Sequence, residues 1–183
     1  MKTLILMGSP RKKGHTIQLV EELCQYLTTD IEILSLYHRQ DIKPCQDCRY
    51  CFTHKGCCVE DAMQEIYQKL EAADQIIFAA PVYFYNLPGA MKMVLDRLQV
   101  YWAARVRKEQ TLQGKKGGML LVGGAPEFPG QFEGTIQTVQ CMLEDLGAEC
   151  AGIVTMGGSD QKGLSERPDV KEKIQKLAQA LQK

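Results

Sequence analysis

The chain has no surplus of charge. Its 22 Lys and Arg are matched by 22 Asp and Glu across 183 residues, which speaks against a general nucleic-acid or membrane partner. Long hydrophobic runs are missing too. The longest, LILM and IIFAAPVYF, are too short to span a bilayer. The N-terminal MKTLILMGSP holds one Lys and a brief apolar run that ends in a turn. A secretory segment would be longer and would end in small residues, so a buried first strand of a cytoplasmic protein is expected. No internal repeat, low-complexity tract, Ser/His/Asp set or pair of acid/base carboxylates stands out. That fits chemistry carried by a cofactor, with the protein supplying orientation and electrostatics. What remains is an ordinary globular composition, 45% hydrophobic and 24% charged. A chain of this length hides roughly 70% of its unfolded surface, enough for one core, and a single domain over residues 1–183 is expected.

Short apolar runs alternate with helical periodicity. Runs at residues 4–7, 31–36, 75–80, 117–124 and 151–156 read as strands. Between and after them, apolar residues recur at helical spacing: Ile17, Val20, Leu23, Cys24 and Leu27; Met63, Ile66, Tyr67 and Leu70; Met91, Val94, Leu95, Leu98 and Trp102; Ile136, Val139, Met142, Leu143 and Leu146; Val170, Ile174, Leu177 and Leu181. Asp61 suits the cap of the second helix, Pro88 the start of the third, and Gly147 the stop of the fourth. Strands this apolar need cover on both faces. The expected architecture is therefore α/β: a flavodoxin-like three-layer sandwich whose five-stranded parallel sheet runs in the order 2-1-3-4-5. In such sheets ligands bind beyond the carboxyl ends of the strands.

The loop after strand 1, GSPRKKGHT (residues 8–16), leads into a helix N-terminus, where free amides favour an anion. Ser9 and Thr16 add hydroxyls, Arg11 adds a forked cation, and Gly14 lets the chain close round a phosphate. Neither GK[ST] nor GxGxxG is present, so a Walker loop and a dinucleotide-binding Rossmann site both lose support. The competing reading is a solvated turn capped by Ser or Thr. After strand 3, PVYFYNLPG (residues 81–89) sets three aromatics side by side, which neither helical nor strand spacing requires. They suit a flat heteroaromatic ligand, unless Phe84 or Tyr85 plugs the top of the core. After strand 4, Gly123 and Gly124 permit close backbone approach. A phosphate at one loop and a flat ring at the next describe a mononucleotide, with FMN the leading candidate.

GSPRKKGHT, PVYFYNLPGAMKMVLDR and the cysteine stretch ending in CCVEDAM together resemble the NADPH-dependent FMN reductase-like family, closest to its iron–sulfur flavoprotein branch. The resemblance spans nearly the whole chain and is strongest to about Arg97. It implies an FMN phosphate held by Ser9, Arg11, His15 and Thr16. The flavin edge would lie against Pro81, Val82, Tyr83 and Phe84, beside Asn86 and near Gly123 and Gly124. It implies NAD(P)H as a transient substrate, a small-molecule electron acceptor, and a homodimer or dimer of dimers. His15 stands where many relatives carry Asn, and Ala62 where Asp is common. Asp96 and Arg97 match the family, and on a helix they read as a surface or interface pair.

Five of the eight cysteines crowd into PCQDCRYCFTHKGCC (residues 44–58). Cys45, Cys48 and Cys51 form C-x2-C-x2-C, and Cys57 follows. Three thiolates at that spacing can wrap one face of a [4Fe–4S] cubane, with a fourth closing it. Zinc, and free or disulfide-cycling thiols, remain alternatives. Cys58 reads as a spare that faces away, and Cys24, Cys141 and Cys150 as small core or near-surface residues. His38 and His54 read as solvated. Arg105, Arg107 and Lys108 read as a surface cluster before a flexible connection at 109–114. Two function classes follow. One is an FMN-dependent reductase of a quinone, flavin or similar acceptor. The other is an iron–sulfur flavoprotein that carries electrons between proteins.

Overall fold

The computed structural model describes every residue except His38 and Thr111, so the sequence reading of His38 lies outside the described residues. Five strands, β1 (Lys2–Met7), β2 (Asp30–Ser35), β3 (Gln75–Pro81), β4 (Lys115–Val122) and β5 (Ala148–Met156), form one sheet. Every pairing is parallel and the order is β2-β1-β3-β4-β5. Side chains alternate across a strand, and this builds two cores. Leu4, Leu6, Ile76 and Phe78 face one side; Ile5, Met7, Ile77 and Ala79 face the other. On the first side lie α3 (Met63–Ala72), α4 (Gly89–Asp96), α5 (Gln99–Val106) and α6 (Glu133–Asp145). On the second lie α1 (His15–Cys24) and α7 (Pro168–Leu181). The apolar stripes read from the sequence are the buried faces of these helices.

Two elements differ from the sequence reading. The stripe from Met91 to Trp102 is not one helix. The chain tightens at Arg97 and Leu98, whose amides bond back three residues to Val94 and Leu95, and α5 starts afresh at Gln99. Strand β5 begins at Ala148 rather than Ala151, and its register against β4 slips between Gly117 and Gly118. Those two glycines are forced by packing. A Cβ on Gly117 would sit 2.3 Å from Leu143 of α6, and one on Gly118 would sit 2.9 Å from Leu177 of α7. Without side chains there, helices can close on both faces of β4. Among the described residues no helix is long and apolar enough to cross a membrane.

Because all five strands run the same way, the loops after β1, β2, β3 and β4 open at one edge of the sheet. The sequence singled out the same four segments.

Candidate flavin and cysteine sites

The loop after β1 is fixed before it is exposed. The Gly8 amide donates to Ala79 O at 2.8 Å, and a Cβ on Gly8 would lie 2.4 Å from the sulfur of Met91. Glycine is what lets α4 pass beneath the loop. Helix α1 then starts from an extended Gly14 (φ −145°, ψ 174°), and no side chain caps it. The Ser or Thr cap of the competing reading is therefore not made. The first-turn amides have no side-chain partner, and the positive end of the helix dipole faces outward. Ser9 Oγ accepts only a long bond from the Arg11 amide (3.3 Å). Arg11 is exposed, and Thr16 is buried in the first turn. His15 turns along its own helix to Gln18 Oε1 (3.1 Å).

The aromatic loop after β3 is a two-residue hairpin. Tyr83 and Asn86 exchange backbone hydrogen bonds of 2.8 and 3.0 Å. Phe84 (φ +49°) and Tyr85 (φ +65°) between them are both left-handed. A type I′ turn demands that conformation and normally takes Asn or Gly there; two aromatic residues hold it at a conformational cost. The core-plug reading fails, because Tyr83 is 46%, Tyr85 57% and Phe84 fully exposed. Pro81, Val82 and Asn86 at the base are half-buried. The hairpin is braced from the side. Thr135 Oγ1 donates to Tyr85 O (3.2 Å), Tyr85 stacks edge-on against Phe128 (centroids 5.8 Å apart), and a Cβ on Gly134 would lie 2.7 Å from Tyr85 O. Gly134 was not visible as a site residue in the sequence, since nothing local marks a glycine needed by a distant carbonyl.

Gly123 and Gly124 have a reason within the chain. Their missing Cβ atoms make room for Gln131 Nε2 (2.5 Å from the position a Cβ would take) and Asp160 Oδ2 (2.6 Å). Gln131 is buried, and its Oε1 has no hydrogen-bond partner among the described residues.

The cysteine segment follows β2 and contains a single helical turn, α2 (Tyr50–Thr53). Cys45, Cys48, Cys51 and Cys57 all line one small cavity of 40 Å³, which also touches Arg97 and Val100. Burial pushes the Cys51 thiol up, and Cys57, Cys45 and Cys48 push it the same way. Among the described residues no three His, Cys, Asp or Glu side chains are arranged to hold a metal ion. The expectation that Cys58 faces away is corrected. Its Sγ lies 3.6 Å from Cys48 Sγ. Gly56 (φ +79°) turns the chain just before it, and adjacent side chains then diverge, Cys57 into the cavity and Cys58 onto Cys48. The Tyr50 amide, and after it the Cys58 thiol, hold the Cys48 thiol below its ordinary value; the same contact raises Cys58. His54 is exposed and stacks on Tyr50.

Arg97 is the residue that the sequence reading misplaced. It is 2% exposed, not a surface partner of Asp96, which pairs with Lys92 instead. Arg97 Nη1 donates to Lys43 O (2.8 Å) and Asp61 Oδ2 (2.7 Å). Its Nη2 donates to Val59 O (3.3 Å) and Asp61 Oδ1 (3.2 Å). Asp61 also accepts the amides of Lys43 (2.9 Å) and Met63 (3.0 Å). One ion pair therefore joins residue 43 to residues 59 and 61, the two ends of the cysteine segment. Burial raises the Asp61 carboxyl, but the bonds from Arg97, Lys43 and Met63 outweigh it and hold the group below the usual carboxylate range. Arg97 Nε is buried without a partner among the described residues. Asp61 was expected as a helix cap, and its bond to the Met63 amide does that; its larger role needed the partner 36 residues away.

In the basic cluster Arg105 and Lys108 are exposed, as expected, and Arg107 is the exception. Arg107 is mostly buried and donates to Cys51 O and to Glu109. Arg105 pairs with the buried Asp145 at 2.8 Å. The connection expected to be flexible is tied at Glu109, whose amide reaches Ala104 O (2.8 Å), and at Gln110, which donates to Asp145 O (2.6 Å).

A doubly wound parallel sheet with an uncapped helix N-terminus and a protruding aromatic turn at its carboxyl edge defines a flavodoxin-like fold. The chain belongs to the NADPH-dependent FMN reductase family, whose description matches residues 1–131, and within it the chain lies near the iron–sulfur flavoproteins. An iron–sulfur flavoprotein of Methanosarcina thermophila is 36% identical over 170 residues, covering 89% of this chain and 81% of that one. Two solved structures share the fold. An FMN-dependent NADH-azoreductase from Bacillus anthracis, in complex with FMN, gives a TM-score of 0.71 at 15% identity over the whole of both chains. An NAD(P)H:quinone oxidoreductase from Methanothermobacter marburgensis gives 0.71 at 16% identity, over 100% of this chain and 98% of that one.

Proposed function

We infer that residues 1–183 form one FMN-binding domain of a cytoplasmic oxidoreductase, which passes electrons from NAD(P)H to a quinone, a flavin or a similar small acceptor. The observation that carries this reading is the uncapped start of α1 at Gly14, set at the same sheet edge as the exposed hairpin of Tyr83, Phe84 and Tyr85. The donor set fits the cofactor. Loop amides, Ser9, Arg11 and Thr16 would hold the phosphate, with His15 left to Gln18. Pro81, Val82, Tyr83, Phe84 and Asn86 would border the ring system, with Gly123 and Gly124 closing the far side. Bound FMN supplies hydride acceptance and one- or two-electron transfer. The chain's part is to fix the ring by packing, to neutralise the phosphate with Arg11 and the helix dipole, and to leave an open face for substrates. Phe84, wholly exposed, suits burial against a second copy in a homodimer or dimer of dimers.

An electron-carrying role between proteins is the second reading. It is favoured by the shared cavity of Cys45, Cys48, Cys51 and Cys57 and by the name of the iron–sulfur flavoprotein relative. In donor chemistry, four thiols beside a buried guanidinium are the set an anionic [4Fe–4S] cluster takes, and the cluster would supply single-electron transfer; to hold it the four sulfurs would have to move from their present places, where they form no ligand set. Arg97 Nε, a buried donor without a partner, matches the sulfur acceptors that such a group presents.

Calorimetry with FMN and riboflavin tests the phosphate site; equal affinities overturn it. Stopped-flow mixing with NADPH and NADH tests the enzyme. Reduction of bound flavin no faster than free FMN leaves the carrier reading in its place.

A further inference from the structure

Cys48 has two sets of neighbours. On one side it lines the small cavity with Cys45, Cys51 and Cys57. On the other its sulfur lies 3.6 Å from that of Cys58, which does not line the cavity. Cys45, Cys48 and Cys58 are exposed, whereas Cys51 and Cys57 are half-buried, so a reagent from solution reaches these three first, and two of them, Cys48 and Cys58, already have their sulfurs close together. A disulfide needs the sulfurs at about 2.05 Å. They have to approach by roughly 1.5 Å, within reach of side-chain rotation. The backbone here is already bent: Asp47 (φ +48°) and Arg49 (φ +63°) flank Cys48 in the left-handed region. The ends of the segment are held by the Arg97–Asp61 pair, so closing the bond leaves the rest of the fold in place.

We propose that Cys48 and Cys58 form a reversible disulfide, and that this bond withdraws Cys48 from the four-cysteine set and blocks iron–sulfur loading. The oxidant is a low-molecular-weight disulfide such as oxidised glutathione. The Cys48 thiolate attacks one of its sulfurs, forming a mixed disulfide and releasing one thiolate. The Cys58 thiolate then attacks Cys48 Sγ and releases the second. Two cysteine thiols and one small disulfide become one protein disulfide and two small thiols. The two electrons go to the glutathione sulfurs, and so do the two protons. A small dithiol reverses the exchange. In a reducing compartment such a bond is transient and suits a sensing role. The second half of the proposal rests on Cys48 being a cluster ligand; the disulfide itself does not.

The test uses the full chain, purified reduced and without iron. It is treated with oxidised glutathione, alkylated, digested, and mapped by mass spectrometry without reduction. The expected product links the peptide ending at Arg49 to the peptide beginning at Gly56. Cys58→Ser should lose this link and keep a glutathione adduct on Cys48, while Cys57→Ser should retain it. In parallel, ferrous iron and sulfide are added to oxidised and reduced samples. Oxidised wild type should take up less than a tenth of the iron of reduced wild type, with recovery after dithiothreitol. Cys58→Ser, treated with ferricyanide in place of glutathione, should take up iron equally with and without oxidation. A link to Cys57 in place of Cys58, or a lasting glutathione adduct on wild-type Cys48, overturns the proposal. So does unchanged iron uptake after the Cys48–Cys58 bond has formed. If the bond forms and no form binds iron, the disulfide site stands and the cluster reading falls.

Discussion

The flavin loops and the cysteine segment sit at the same edge of the sheet and are held in opposite ways. The loops after β1 and β3 are short, spring directly from buried strands, and are fixed where they leave the sheet and along one flank. Gly8 bonds to Ala79 and lies against Met91, and Tyr85 is braced by Thr135 and Phe128. The cysteine segment is held from the helices instead. Arg107 donates to Cys51 O and Phe52 packs edge-on against Trp102, Gln64 donates to Cys57 O and Val59 O, and the ends are gathered by Arg97. A scaffold built from strand ends suits a cofactor that is bound whole. A segment pinned at separate points, with Cys48 and Cys58 exposed between them, suits thiols that change partner.

The contrast can be broken most severely at Arg97. Arg97→Ala removes one partner of a buried ion pair and leaves Asp61 charged beneath the surface, so a loss of about 3–5 kcal/mol is expected in urea denaturation. The cysteine segment should become protease-sensitive before the sheet does. Unchanged stability would mean that the pair does not hold the segment.

Arg11→Ala, on the other side of the comparison, should leave the unfolding midpoint within about 0.5 kcal/mol of wild type, as for an exposed side chain. It should weaken FMN by about 1.5–3 kcal/mol, ten- to a hundredfold in Kd by calorimetry. Phe84→Gly is expected to act with the reverse sign on stability. Glycine relieves the left-handed strain, raising stability by about 1 kcal/mol, while turnover or self-association measured on the same sample falls. A variant that is more stable and fully active would show that the aromatic tip does no functional work.

The smallest effect is in acid. Asp61 is held below the carboxylate range when folded and returns to about 3.9 when unfolded. The folded state therefore binds fewer protons, and the pair's stabilisation is complete above about pH 5 and fades as pH drops through the folded value. Asp61→Asn should be less stable at neutral pH and should lose less on acidification than wild type. A parallel pair of pH–stability curves would rule Asp61 out as the source.

The sheet order was legible in the sequence because buried parallel strands leave continuous apolar runs, and their covering helices leave stripes. The uncapped helix start at Gly14 was legible for a related reason: a strand, a polar glycine-containing turn and a helix start are local. The break at Arg97 was hidden because the apolar stripe continues through Leu98 and Trp102 as if one helix carried it. The Arg97–Asp61 pair was hidden because two charges 36 residues apart have no periodic signature. Cys58 was set aside for lying outside a spacing rule, yet its sulfur is in contact with one that the rule picked. Gly123 and Gly124 were read as places where the backbone could approach a ligand closely; the side chains that fill the space beside them, Gln131 and Asp160, lie too far along the chain to be read.

Arg97 also has a bearing on how this chain can vary. A guanidinium that binds residue 43 with one nitrogen and residue 59 with another makes the intervening stretch a cassette. Loop-closure entropy grows slowly, by about 0.6 kcal/mol for each doubling in length. Between the two anchor points, length and composition can therefore be exchanged at little cost to the sheet, provided that Asp61 and Arg97 stay in place. A cysteine-bearing insert can be gained, lost or rewritten as a unit while the loops after β1 and β3 stay as they are.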